Sequence, residues 1–265
     1  MAFEKNKKFT PDNSPEEQST DNLFVGRNAV LELIKSGREI DKLYIQKGER
    51  EGSITLIYAK AAEKRIPVIE VDKRKIDSMS GGAVHQGVAA SVSEIAYTEI
   101  EDMLALAESR NEKPFLIICD SVNDPHNLGA IIRTAECAGA HGVIIPKRRS
   151  VSVNQTVAKA SAGAVFHIPI ARVPNLNSTV KLLKERNIWV WALEADGTPY
   201  YESDFNCGCA FVVGGEDSGI SRLLRDSSDF VLSIPMFGSI NSLNVSNAAA
   251  IVLFEAAKQR RLQNR

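Results

Sequence analysis

A chain of 265 residues with 44% apolar and 25% charged residues is long enough for one large or two ordinary domains and has the make-up of a globular protein. Its formal charge of −1 excludes a surface coated uniformly in positive charge. Ala248 to Ala257, the longest nearly apolar stretch, is about half a membrane span and carries Glu255, and Met1 to Thr20 lack the apolar core of a signal peptide, so a cytoplasmic protein with no membrane partner is expected.

Residues 1–21 are rich in Lys, Glu, Pro, Ser and Asn and read as a disordered tail. A first unit is expected over residues 22–97. Its apolar periodicity after Gly26-Arg27-Asn28 predicts a helix ending near Gly37. A strand at Leu43 to Ile45, a helix over Ile54 to Lys64, a strand at Val68 to Val71, a helix over Lys73 to Met79 and a strand at Val88 to Val92 follow. Residues 98–113 read as a linker with an acidic helix, Glu99 to Ser109. From residue 114 to 265 apolar strands alternate with helical patterns: Phe115 to Cys119, Val143 to Ile145, Val165 to Ile168, Ile188 to Leu193, Phe211 to Val213 and Phe230 to Ile234. That alternation predicts an α/β domain with a parallel sheet covered on both faces. The chain shows no internal repeat.

Charge is segregated along the chain. Cys137 to Lys184 hold seven basic residues and no acid, whereas Glu185 to Phe230 hold nine acids and three bases. A polyanionic partner fits this pattern as well as solvated faces of chance composition do. The four cysteines, Cys119, Cys137, Cys207 and Cys209, include no CxxC pair, and the histidines are scattered, so reduced structural thiols and no metal site are expected.

Chemistry-bearing residues cluster three times, each time after a predicted strand, where open α/β sheets bind ligands. The first cluster runs from Asp120 to Arg133. Asn127 and Arg133 lie six apart and so off one helical face, yet Arg133 sits among apolar neighbours (Ala130, Ile131, Ile132, Ala135), which suits a directed role better than an idle one. Helix capping by Asn127 is the plainer alternative. In the second cluster, Val213 to Gly219, two glycines permit close approach of a ligand to the backbone, and Glu216 is expected to open a helix. The third, Ile234 to Asn247, carries more hydroxyl and amide groups than capping alone requires. No GxGxxG follows a strand and no GxxxxGK[ST] occurs, so a dinucleotide fingerprint and a P-loop are both absent.

Asn127-Leu-Gly-Ala-Ile-Ile-Arg133, Gly214-Gly-Glu216-Asp-Ser-Gly219 and Ile234-Pro-Met-x-Gly-x-x-x-Ser242-Leu-Asn244-Val-Ser246 resemble, in order and spacing, the three motifs of the SpoU or TrmH RNA ribose methyltransferases. The resemblance implies a domain whose C-terminal segment makes a trefoil knot and binds S-adenosylmethionine largely through backbone groups. Carried over by position, Gly214, Ile234 and Leu243 would contact the cofactor, and Asn127, Arg133, Glu216, Ser242 and Asn244 would form the catalytic side. Phe24 to Val30 and Val84 to Val88 resemble the ends of the small α/β RNA-binding domain attached to many members, which makes Arg27 a candidate RNA contact. The whole is similar to enzymes that methylate a guanosine ribose of large-subunit (23S) rRNA. A tRNA or another rRNA site, or a non-catalytic RNA-binding or ribosome-assembly role, are the rival readings. Homodimers are general among knotted members. Lys147, Arg148 and Arg149 are the candidate phosphate contacts.

Overall fold

The computed structural model describes residues 22–48, 52–93, 96–216 and 218–263; the tail expected over residues 1–21 lies outside them. The first sheet is built from β1 (Leu23–Val25), α1 (Arg27–Lys35), β2 (Lys42–Gln46), α2 (Ser53–Glu63), β3 (Val68–Val71), α3 (Lys73–Met79) and β4 (Val88–Ser91). Its order is β1-β4-β2-β3, with β2 and β3 parallel and the other pairs antiparallel. β1 was not among the expected strands: three residues buried throughout leave no alternation to read.

The second sheet holds β5 (Phe115–Asp120), β6 (Gly142–Pro146), β7 (Ile170–Val173), β8 (Trp189–Pro199), β9 (Cys209–Gly214) and β10 (Phe230–Ser233) in the order β10-β8-β9-β5-β6-β7, every pair parallel. Helices α5 (Pro125–Ala138), α6 (Gln155–Ala160), α7 (Leu176–Glu185), α8 (Arg222–Ser227) and α9 (Val245–Gln263) accompany it. The continuous apolar runs of β5 and β9 are buried along almost their whole length, as a sheet covered on both faces demands. α5 and α9 pack on one face. The other is covered by α7, α8 and α4 (Ile100–Ser109), whose Ile100 and Met103 join Leu116, Ile118 and Ile144 in one apolar cluster. The segment read as a linker is thus a layer of this sheet.

Two expected strands differ. Val165 to Ile168 is not extended: Ala164–Phe166 is a short 3-10 turn and the strand starts at Ile170. The apolar run is there to bury Phe166 edge-on against Phe24 at 5.0 Å, not to pair in a sheet. β8 runs past Leu193 to Pro199, but not continuously in register. Ala192 faces Val231 and Thr198 faces Leu232, which leaves Leu193 to Gly197 outside the ladder as an irregular excursion.

The two sheets share one core. Phe24, Val30 and Leu33 of the first unit belong to the same buried cluster as Phe115, Leu128 and Val157 of the second. Polar contacts reinforce the seam: His167 Nε2 and Glu32 Oε2 lie 2.9 Å apart, and Arg38 Nε donates to the Phe166 carbonyl at 3.3 Å. Burial raises the Glu32 carboxyl, but the bonds from Lys35 and His167 outweigh it and hold the group below its ordinary value.

Candidate active site

The strand order reverses between β5 and β9, and their carboxyl ends lie side by side, Asp120 opposite Gly214. Ligands of open α/β sheets bind at such a switch point. Here three loops converge: β5 to α5, β9 to α8, and β10 to α9.

Asn127 does not cap α5. Asp124 does, its carboxylate accepting from the His126 N–H at 3.0 Å. Asn127 lies in the first turn, buried, with its amide directed across the sheet end. Its Nδ2 donates to Glu216 Oε1 at 3.0 Å, and its Oδ1 accepts from Asn244 Nδ2 at 3.0 Å. Asn244 Nδ2 also donates to the same Glu216 oxygen at 2.5 Å. One residue from each motif therefore closes a three-membered polar ring. Asn244 caps as well: its Oδ1 accepts from the Ser246 N–H at 2.9 Å and hydroxyl at 2.6 Å, fixing the start of α9. The capping and functional readings of the third cluster are both true of this side chain.

Glu216 does not open a helix as expected; it sits in a turn closed by a bridge between Gly215 and Gly219, and α8 begins at Arg222. Its charge is matched by two amides instead of a helix dipole. The paired glycines serve the protein's own packing first. A side chain at Gly214 would collide with the backbone of Gly219 and Ile220, and one at Gly215 with the Ser121 carbonyl. Gly129 has a similar role, because a Cβ there would lie 2.5 Å from the Ala160 Cβ.

Gly214, Ile234 and Leu243, together with Glu216, Ser242 and Asn244, line one cleft of about 860 Å³. That is within the usual range for small-molecule sites, about 300–1,000 Å³. One wall is the segment 236–243, whose backbone and side chains make no hydrogen bond within the described protein. Its peptide groups are available to a ligand. Arg133 is not in this set: it lies exposed on α5, with no hydrogen bond or ion pair among the described residues, and neither Asn127 nor Glu216 holds it.

Two carboxylates brace the turn after β9: Asp120, which opens the first cluster, and Glu194, which the sequence did not single out. Asp120 Oδ2 accepts from the Ser221 N–H at 2.8 Å, and Glu194 Oε1 accepts from the Ile220 N–H at 3.0 Å. Asp120 ends a buried strand, a signal that was legible; Glu194 arrives through the excursion in β8, which was not.

The basic loop Lys147 to Arg149 is exposed and follows β6, next to β5, at the same end of the sheet. Ser150 and Val151 tie it to the Val122 carbonyl in the first site loop. Arg27 opens α1, and its Nε donates to the Gln86 carbonyl at 3.0 Å, joining the two ends of the first unit. Arg27 also lines a separate cleft of about 610 Å³ with Lys73 and Gln86. Cys119 and Cys209 are buried, and burial pushes both thiols up to about 12; Cys137 is exposed and Cys207 half-buried.

Comparison with known proteins gives this site a family. Residues 114–254 match the model of the SpoU rRNA methylase family. The chain belongs to that family. Residues 23–98 of this SpoU methylase match a second model, RNA 2'-O ribose methyltransferase substrate binding. It is 43% identical over 237 residues to YacO of Bacillus subtilis (strain 168), named for the TrmH family of tRNA/rRNA methyltransferases, covering 89% of this chain and 95% of the relative. A Staphylococcus haemolyticus protein of the same naming is 44% identical over 241 residues, 91% of this chain and 96% of its own. Among solved structures, the SpoU methyltransferase AviRb from Streptomyces viridochromogenes in complex with AdoMet superposes with a TM-score of 0.77 at 23% identity over 92% of each chain. An AdoMet-bound rRNA methyltransferase from Sinorhizobium meliloti gives 0.74 at 26% identity, over 91% of this chain and 88% of its own. The protein is an RNA methyltransferase with the parallel α/β fold of the family. No helix among the described residues is long and apolar enough to cross a membrane.

Proposed function

We propose that the protein transfers a methyl group from S-adenosylmethionine to a ribose 2'-hydroxyl of RNA, at a guanosine of large-subunit (23S) rRNA, and that it works in the cytoplasm as a homodimer. The observation that carries the reading is the cleft itself: the three positions expected to touch the cofactor line it together with three of the expected catalytic residues. Its donor set suits the cofactor, since backbone groups of 236–243 stand unspent beside Gly214, Ile234 and Leu243. When bound, S-adenosylmethionine supplies an electrophilic methyl group on a sulfonium. The knot implied by the motifs would thread the segment after β10 back to α9.

The residues of the chain then have distinct tasks. Asn127, Glu216 and Asn244 lock the three loops into one rigid floor, so the ribose meets a fixed surface. Ser242, in the cleft wall, offers a hydroxyl to the nucleotide. Arg133 binds the neighbouring phosphate while stabilising the developing alkoxide. Its exposed position on α5 suits a group that meets RNA from outside the cleft. Lys147, Arg148 and Arg149 neutralise phosphates beyond it, and Arg27 contributes from the first unit. Pairing of two copies would cover Phe254 and Leu262, exposed apolar residues of α9.

The reading is tested by mass spectrometry of nuclease-digested rRNA and tRNA from cells with and without the gene. Loss of one 2'-O-methylguanosine from large-subunit rRNA is expected. Loss from tRNA alone would move the target, and no loss from either RNA would defeat the enzymatic assignment.

A further inference from the structure

The cleft has a one-sided charge. Two carboxylates, Glu194 and Glu216, line it, and its described lining holds no Lys, Arg or His. Glu216 is engaged by two amides. Glu194 is carried into the cleft by the residues of β8 that leave the ladder between Ala192 and Thr198. Its Oε1 accepts the Ile220 N–H, and among the described residues no cationic side chain pairs with it. Asp196, its neighbour in the same excursion, is by contrast paired with Arg225 at 2.8 Å outside the cleft. A bulge that re-aims one side chain into a site is a common use of such irregularities. The approach is close on the turn's side too: a side chain at Gly219 would meet the Glu194 carboxylate at 3.4 and 3.8 Å.

We infer that Glu194 tunes the cleft toward a cationic ligand, so that it favours the sulfonium form of the cofactor over the spent thioether. This rests on the cofactor reading given above. The charge argument is elementary. In methyl transfer the carbon–sulfur bond breaks, sulfur keeps the electron pair and becomes a neutral thioether, the new bond forms to the ribose oxygen, and the hydroxyl proton leaves to solvent. The ligand in the cleft loses one positive charge in that step. An uncompensated carboxylate in the lining stabilises the charged form and gives nothing to the neutral one. Glu194 is therefore a specificity residue for cofactor over product, as well as a brace for the turn after β9. The brace alone would be served as well by a neutral acceptor.

The test is titration calorimetry of the full chain with three probes: S-adenosylmethionine, sinefungin, which carries an ammonium in place of the sulfonium, and S-adenosylhomocysteine. The readout is the affinity ratio of each cationic probe to S-adenosylhomocysteine. Glu194→Gln keeps an oxygen for the Ile220 N–H and removes the charge. It should lower both ratios by about two- to thirty-fold, the range that Coulomb's law gives at a separation of about 8 Å between water-like and protein-surface dielectric. S-adenosylhomocysteine affinity should stay nearly unchanged. Asp120→Asn, on the brace outside the cleft lining, should leave the ratios in place. In the unaltered protein the ratios should fall as salt rises from about 0.05 to 0.5 M, a readout that does not depend on any variant folding. Equal weakening of all three probes by Glu194→Gln, or unchanged ratios in it, overturns the inference and leaves the cofactor reading intact. Ratios independent of salt also overturn it. No binding of any probe by the unaltered protein overturns both.

Discussion

Asn127 touches both other motifs, so truncating it asks whether the three loops act as a unit. The residue is 7% exposed and makes two hydrogen bonds across the site, one to the Glu216 carboxylate and one from Asn244. A bond to a charged group contributes about 1.5–3 kcal/mol and a neutral pair about 0.5–1.5 kcal/mol. Glu216 and Asn244 are exposed and can turn to water, so the net loss for Asn127→Ala should be nearer about 1–2 kcal/mol of folding stability. Asn244→Ala should cost a similar amount, because it gives up the α9 cap as well. The pair should be non-additive by about 1 kcal/mol, since each single change already breaks their shared bond. Urea unfolding followed by tryptophan fluorescence supplies the four stabilities of the cycle. Methyl transfer measured on the same proteins should fall about 100-fold or more in each single variant, and little further in the double, as groups acting together do. Stabilities that add within about 0.5 kcal/mol, with activity losses that multiply, would show that the ring seen in the structure does not couple the motifs.

Four other outcomes are expected. Arg133→Ala should abolish methyl transfer while leaving cofactor affinity nearly intact, because the side chain lies outside the cleft; a normal rate would remove it from the mechanism. Replacing Lys147, Arg148 and Arg149 by Ala should lower the slope of log affinity against log salt by about two to three in RNA-binding titrations, and an unchanged slope would make the loop an ordinary solvated surface. Gly129→Ala should lower stability by about 1–3 kcal/mol in thermal melts, because the new methyl meets Ala160 and the Val157 carbonyl between α5 and α6; a neutral effect would mean that the helices part freely. His141 is fully buried, and burial depresses its imidazole below the ordinary value despite its bond to Glu112. Its folded value lies below its unfolded one, so the unfolded chain takes up the proton first and stability falls as pH drops through about 6.5. His141→Gln should flatten the stability profile between about pH 7 and 5.5, and an identical slope would assign the acid sensitivity elsewhere.

The strands of the second sheet were legible where burial on both faces writes a continuous apolar run, as in Phe115 to Cys119. They were not legible where an apolar run served another purpose, as in Val165 to Ile168, whose Phe166 packs on Phe24. Asn127, Glu216 and Asn244 lay in polar clusters after predicted strands, and the resemblance of those clusters to the SpoU motifs singled them out. What the sequence could not convey was their mutual geometry: which residue capped α5, what balanced Glu216, and that Arg133 faces outward. Glu194 was invisible for a similar reason. Only the slip in register between β8 and β10 brings it to the cleft, and pairing register is a long-range property that no local pattern records.

The core shared by the two sheets has a consequence for substrate choice. Phe24 is locked against Phe166, and Gly163 is pressed so closely to Glu32 that a Cβ there would lie 2.5 Å from the Glu32 side chain. Packing this close opposes hinging between the two units. On the proposed function, the protein would act as a caliper of fixed opening: the span between nucleotides held by the first unit and a ribose presented to the cleft would be set by packing, and an RNA would have to bring its target to that span by its own folding.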